Sequence, residues 1–163
     1  MRERLVGRLR ASRRADDGVT LIETLVAVTI LAVAGVAVLA GLQTSVKVSD
    51  INRKQAVGGT TVRSLAEAVQ RYVADGGYAP CAAADHYTSA VAGSYTLGSS
   101  YTASQARARR WNGSAWTDDC TAGNDLGLQR VRLTVRSADG RAEESTTLVL
   151  RRSCDAAGAS PCA

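Results

Sequence analysis

Residues 18–42 read GVTLIETLVAVTILAVAGVAVLAGL, and every other part of the chain is placed by how this stretch is read. From Val19 to Leu42 the only ionisable side chain is Glu23. As an α-helix, at about 1.5 Å per residue, this run is about 36 Å long, enough for the roughly 30 Å hydrocarbon core of a bilayer. A helix that is apolar all round needs lipid or a large protein interior about it. A chain of 163 residues has too little left over to supply that interior. The run is therefore expected to cross a membrane once.

Toward the N-terminus, residues 1–18 hold six arginines against three acidic side chains. Positive charge beside a hydrophobic helix stays in the cytoplasm, which puts the C-terminal part outside. The same segment carries three of the five net positive charges, so the pI near 9.3 is no argument for a nucleic-acid partner. A secretory signal has an apolar run of about 7 to 15 residues, and this one is about twice too long. A plain signal anchor fits the length and the flanking charge. It accounts for neither Gly18 nor Glu23.

A carboxylate inside a membrane helix costs up to a few kcal/mol, less near the ends, and so calls for a partner. If the chain is cut after Gly18, Val19 carries a free amine one helical turn from Glu23. In a bundle of such helices, Glu23 of one subunit would meet the amine of its neighbour. Unpaired charge in apolar surroundings is heavily penalised, so this pairing would fix the register of stacking subunits. Glu23 reads as an assembly device.

The stretch closely resembles the start of type IV pilins and type II secretion pseudopilins. Those proteins share a basic leader ending in glycine, a cleavage point, then T-L-I/L-E and an apolar helix. Gly18 matches the residue before the cut, Thr20, Leu21 and Ile22 match the residues that follow, and Glu23 matches the acidic residue. Val19 stands where the family usually has phenylalanine, and Ala40 where many major pilins have proline. The resemblance implies cleavage between Gly18 and Val19 by a prepilin peptidase and methylation of the new amine. It further implies polymerisation with other pilin subunits at an inner-membrane assembly platform. The long leader and the missing proline lean toward a minor pilin or pseudopilin. Pilus, competence and secretion systems all stay open.

From Gln43 the pattern turns amphipathic. Val62, Leu65, Val69 and Tyr72 recur at three- and four-residue steps, and Asp75-Gly76-Gly77 is a stop signal. One helix over about 19–75 is expected, with Gly58 and Gly59 marking either a kink or close packing. Residues 78–127 read as polar and loop-rich. Asn112-Gly113 is the best turn signal there. As a two-residue turn it pairs Trp111 with Ser114, Arg109 with Trp116 and Arg107 with Asp118. LQRVRLTVRS (128–137) alternates, with Leu128, Val131, Leu133 and Val135 as its apolar set. ADG turns the chain, and STTLVLRR (145–152) returns as a second strand.

The fold class is accordingly α+β: a long N-terminal helix, membrane half plus amphipathic half, packed against a small antiparallel β-sheet head in the lollipop layout of pilins. Residues 1–18 form a cleaved cytoplasmic leader, 19–42 the transmembrane and assembly helix, 43–75 its amphipathic continuation and 76–163 an extracytoplasmic head. The expected location is a single-pass cytoplasmic membrane protein, in contact with lipid before assembly, that then enters an extracellular or periplasmic filament. In the core, Val62, Leu65, Val69 and Tyr72 are expected to face Val131, Leu133, Val135, Leu148 and Leu150.

Cys81, Cys120, Cys154 and Cys162 all follow the membrane run. Four cysteines in a small exported domain imply two disulfides with three connectivities. They lack the C-x-x-C spacing of a zinc site. Neither a metal nor a cofactor is called for. The lone His86 has no obvious catalytic grouping in sequence, and the chain holds no phosphate loop, H-E-x-x-H or nucleophile elbow, so no catalytic residue is expected. RARRW (107–111) with Trp116 is a basic, aromatic cluster of the kind that grips nucleic acid. Arg107, Arg109, Arg110, Trp111 and Trp116 thus carry a second reading, contact with DNA or a surface ligand. Local pairing within the hairpin is the favoured account of the same residues. A plain signal-anchored exported domain is the third.

Overall fold

The structure is a computed structural model, and it describes residues 20–153. The chain divides into two compact units, Met1–Ser45 and Val46–Ala163. Helix α1 runs from Leu21 to Tyr72. It is followed by one π-helical turn, Val73–Gly77, in which Gly76 takes a left-handed φ of 95° and ends the helix at the stop signal. The first unit contains the apolar part of α1. Its large side chains are exposed throughout, from Leu21 at 79% to Leu42 at 59%.

In the second unit α1 buries Gly58, Thr61, Val62, Leu65, Ala66, Ala68 and Val69, a stripe at three- and four-residue steps. Gly58 and Gly59 do not interrupt α1. A side chain on Gly58 would meet Glu144 Cγ at 3.2 Å, so close packing is the role of this glycine.

The sheet is antiparallel and has five strands. They are β1 (Tyr101–Gln105), β2 (Arg109–Trp111), β3 (Trp116–Thr117), β4 (Leu128–Ser137) and β5 (Glu143–Arg151). Strand β4 is central. One edge pairs with β5, with Val131 opposite Leu148, and the other is shared by β1 and β2. The turn between β4 and β5 has Gly140 at φ 69°. Val131, Leu133 and Val135 of β4, with Leu148 and Leu150 of β5, join Val62, Leu65 and Val69 in one buried cluster. Tyr72 packs against it partly buried. At about 1.5–3 kcal/mol for each fully buried aliphatic side chain, this cluster is the main source of the head's stability. The inward register of β4 is Gln129, Val131, Leu133, Val135 and Ser137, so Leu128 lies on the other face and a glutamine takes its expected place in the core.

The segment before β1, read from sequence as loop, contributes the largest buried side chain of the head. Helix α2 (His86–Ala90) places Tyr87 at 0% exposure, and Val91 follows it into the core. Polar contacts hold this segment. Gln129 accepts a hydrogen bond from the Ala82 amide and donates to the Ala79 carbonyl and to the Tyr87 hydroxyl. Asp125 accepts from the Tyr78 hydroxyl (2.8 Å), the Cys81 amide (2.8 Å) and the Gly127 amide (2.7 Å). Burial and the neighbouring Asp125 carboxylate push the Tyr78 hydroxyl well above its usual pKa, so it stays protonated and donating. Gln105 accepts from the Tyr87 amide and donates to the Ala83 and Ala106 carbonyls. These bonds offset the left-handed backbone of Cys81 (φ 51°) and Asp85 (φ 59°). Cys81 is disulfide-bonded to Cys120, which ties the segment to the end of the β2–β3 hairpin. Cys154 and Cys162 lie outside the described residues.

Candidate functional site

Two regions carry the sequence's functional residues, the start of α1 and the hairpin of the head. Gly18 and Val19 lie outside the described residues. At Thr20 the chain enters the helix. The Thr20 hydroxyl accepts a hydrogen bond from the Glu23 amide (3.3 Å), and its carbonyl accepts from the Glu23 and Thr24 amides. Thr20 is thus the N-cap, and Glu23 sits at the third helical position. T-x-x-E is the signature of a capping box, a signal present in the sequence that the assembly reading passed over. A carboxylate in the first turn is also favoured by the helix dipole. The Glu23 side chain makes no ion pair with any described residue.

Beyond Glu23 the helix is prepared for an apolar medium. The Thr24, Thr29 and Thr44 hydroxyls donate to the carbonyls of Leu21, Leu25 and Ala40, which hides each polar group against its own helix. Mean hydropathy reaches 2.7 over its most apolar span, none of that span is buried, and α1 is long and apolar enough to cross a membrane. Leu21 and Ile22, next to Glu23, are 79% and 70% exposed.

In the hairpin, the expected register is corrected by two residues. Trp111 pairs with Trp116 and Arg110 with Thr117. The turn is centred on Gly113-Ser114, one position later than Asn112-Gly113, with Gly113 at φ 101°. Asn112 is used differently: its side-chain oxygen accepts from the Ser114 and Ala115 amides (2.9 and 2.8 Å). Partners change with the register. Arg109, not Arg107, approaches Asp118, with Nε 2.7 Å from Oδ1. That contact is out of line for a hydrogen bond, so it is an ion pair only. The cation over Trp116 is Arg130 of β4, at 5.1 Å, rather than Arg109. Trp111 and Trp116 pack edge to face at 5.2 Å.

The structure does not bring Arg107, Arg109 and Arg110 together. Arg107 is exposed between β1 and β2, and Arg109 is partly exposed. Arg110 pairs across from buried Gln129, is 15% exposed, and is held by the Asp119 carbonyl and carboxylate. His86 is exposed, with its ring edge-on to Tyr87.

Where the head meets α1, Lys54 lies 2.7 Å from Asp50 and 2.6 Å from Asp139 in the β4–β5 turn. Hydrogen bonds from Lys54, Ser137 and the Arg141 amide hold the Asp139 carboxyl below the usual carboxylate range, and its bond to Asp139 raises the Lys54 ammonium.

Residues 13–39 match a family model described as the prokaryotic N-terminal methylation motif. No curated protein and no solved structure matches the chain. The motif covers residues 13–18, the capped helix start with Glu23 and most of the exposed apolar surface, and its family is structural rather than catalytic. With a long N-terminal helix, a five-stranded antiparallel sheet and a Cys81–Cys120 bridge behind it, this is the prepilin motif of type IV pilins and pseudopilins, and it marks the chain as a type IV pilin-like precursor.

Proposed function

We propose that this precursor is a minor pilin or pseudopilin that joins a filament through its N-terminal helix. Residues 1–18 are the leader, removed between Gly18 and Val19 by a prepilin peptidase, and the new amine is methylated. Residues 19–42 hold the protein in the cytoplasmic membrane with the head (76–163) outside, and 43–75 continue the helix into that head. The subunit then leaves lipid for a helical filament, at an inner-membrane assembly platform, and packs there against other pilin subunits. One observation supports this reading above others: an apolar helix surface with no partner among the described residues, carrying one carboxylate in its first turn. Apolar contact would supply most of the affinity. Pairing of Glu23 with a neighbour's N-terminal amine would set the register.

The T-x-x-E pattern, whose Thr20 half is formed, offers Glu23 a local role as helix cap, and two substitutions separate the roles. Glu23→Gln keeps a residue able to complete the box but removes the charge. Glu23→Ala removes both. Both variants are expected to insert in the membrane, and both are expected to be depleted from purified filaments. Incorporation of Glu23→Gln at the wild-type level would make Glu23 a helix cap and refute the charge-pairing role.

A further inference from the structure

The outer face of the head sheet holds a second feature, independent of the helix. Arg107, Arg109, Arg130 and Arg132 line a pocket of about 270 Å³, completed by Ala106 and Thr147. They come from the β1–β2 connection, β2 and β4, so folding gathers charges that the sequence keeps apart. Arg109 and Arg130 are direct cross-strand partners. Like charges placed opposite each other destabilise a strand pair, and this arrangement is a cost to the fold when nothing is bound. It is relieved in part by Asp118 and the Trp116 carbonyl beside Arg109 and by the Trp116 ring beneath Arg130. Among the described residues Arg132 donates only to the Ser145 hydroxyl, and Arg107 makes no ion pair. Among the described residues no carboxylate lines the pocket.

From this geometry we infer that the pocket binds the phosphodiester backbone of a single-stranded nucleic acid. Guanidinium groups match phosphate oxygens as planar forks, and several of them around one small pocket suit an anion that repeats along a chain. Trp111 and Trp116 sit on the same face beside the pocket, partly exposed, and supply indole surface on which an unpaired base would stack. The site differs from the run Arg107–Trp111 read in sequence. Arg110 is excluded, being turned to the other face, while Arg130 and Arg132 enter from a strand twenty residues away.

The test uses the full chain in a non-ionic detergent, with a fluorescently labelled single-stranded oligonucleotide followed by anisotropy. Trp111 and Trp116 are the chain's two tryptophans, so quenching of intrinsic fluorescence reports binding at this face in the same titration. With three or four phosphates engaged at a slope of about 0.7 per phosphate, affinity is expected to fall about 20- to 50-fold between 50 and 200 mM salt. Arg130→Gln with Arg132→Gln should weaken binding at least tenfold, lower that slope and abolish the quenching. Arg63→Gln with Arg71→Gln, which removes two exposed arginines of α1, should change affinity less than threefold. Equal losses in the two double variants would reduce the effect to overall charge and overturn the site. Absence of binding would overturn it as well. Tighter, tryptophan-quenching binding of a sulfated polysaccharide would replace nucleic acid as the occupant and refute the assignment. Filament incorporation is unaffected by any of these results, so failure here is separable from failure of the pilin reading.

Discussion

The Cys81–Cys120 bridge offers the firmest quantitative test of how the head is held. It joins positions 39 apart, and the loop it closes contains α2, β1, β2, β3 and both tryptophans. For a closed loop of about 40 residues, the chain-entropy relation gives about 13 cal/mol/K, or about 4 kcal/mol at 25 °C, lost from the unfolded state. Cys120 is buried, so alanine is the better replacement because it puts no hydroxyl into the core. The double variant Cys81→Ala/Cys120→Ala is expected to lose about 4 kcal/mol. For a head of this size, with an m-value of about 2 kcal/mol/M, the urea midpoint should fall by about 2 M. The assay is a urea titration of the full chain in non-ionic detergent, followed by tryptophan fluorescence. A loss below about 1 kcal/mol would refute the reasoning, because the polar network around Asp125 and Gln129 would then be holding the segment without help from the covalent tie.

Two further expectations concern polar groups. Gln129→Leu leaves the Ala82 amide without a partner and the Ala79 carbonyl with only the Tyr87 hydroxyl, and should destabilise the head by about 1–3 kcal/mol in the same urea assay. Asp139 is depressed in the folded state, so its contribution is present above the ordinary carboxylate pKa and is lost as pH falls through the lower folded value. In an NMR titration its carboxyl should titrate below the usual carboxylate range, and Lys54→Met should raise it toward that range. An unmoved Asp139 would show that the contact with Lys54 is not maintained in solution.

Much of this molecule was legible in sequence because its elements are strongly periodic. The α1 stripe from Val62 to Tyr72 and the alternation of β4 and β5 follow from apolar spacing alone. The stop at Asp75-Gly76-Gly77 follows from glycine's freedom at positive φ. What escaped was carried by polar residues in the core. Gln129 occupies a position where alternation calls for an apolar side chain, and only the backbone groups of residues 79–82 explain it. Tyr87 sits in a short polar stretch with no period to reveal it. The hairpin slipped because Asn112-Gly113 and Gly113-Ser114 are both valid turn pairs, and the Asn112 side-chain cap decides between them. At the N-terminus, the motif from Gly18 to Glu23 was legible from residue order, but the capping role of Thr20 became apparent only once the helix start was seen. The arginine pocket was hidden for a different reason. Arg130 and Arg132 are ordinary outward residues of a strand until strand pairing sets them against Arg109.

The central claim is that the N-terminal motif is processed as a prepilin, and the intact mass of the membrane-extracted protein tests it most directly. The measurement is made with and without a prepilin peptidase in the host. The account predicts loss of residues 1–18 only where the peptidase is present, and no loss when Gly18 is replaced by a bulkier residue. A chain that keeps residues 1–18 in both hosts would contradict it and leave Glu23 as the cap of a signal anchor.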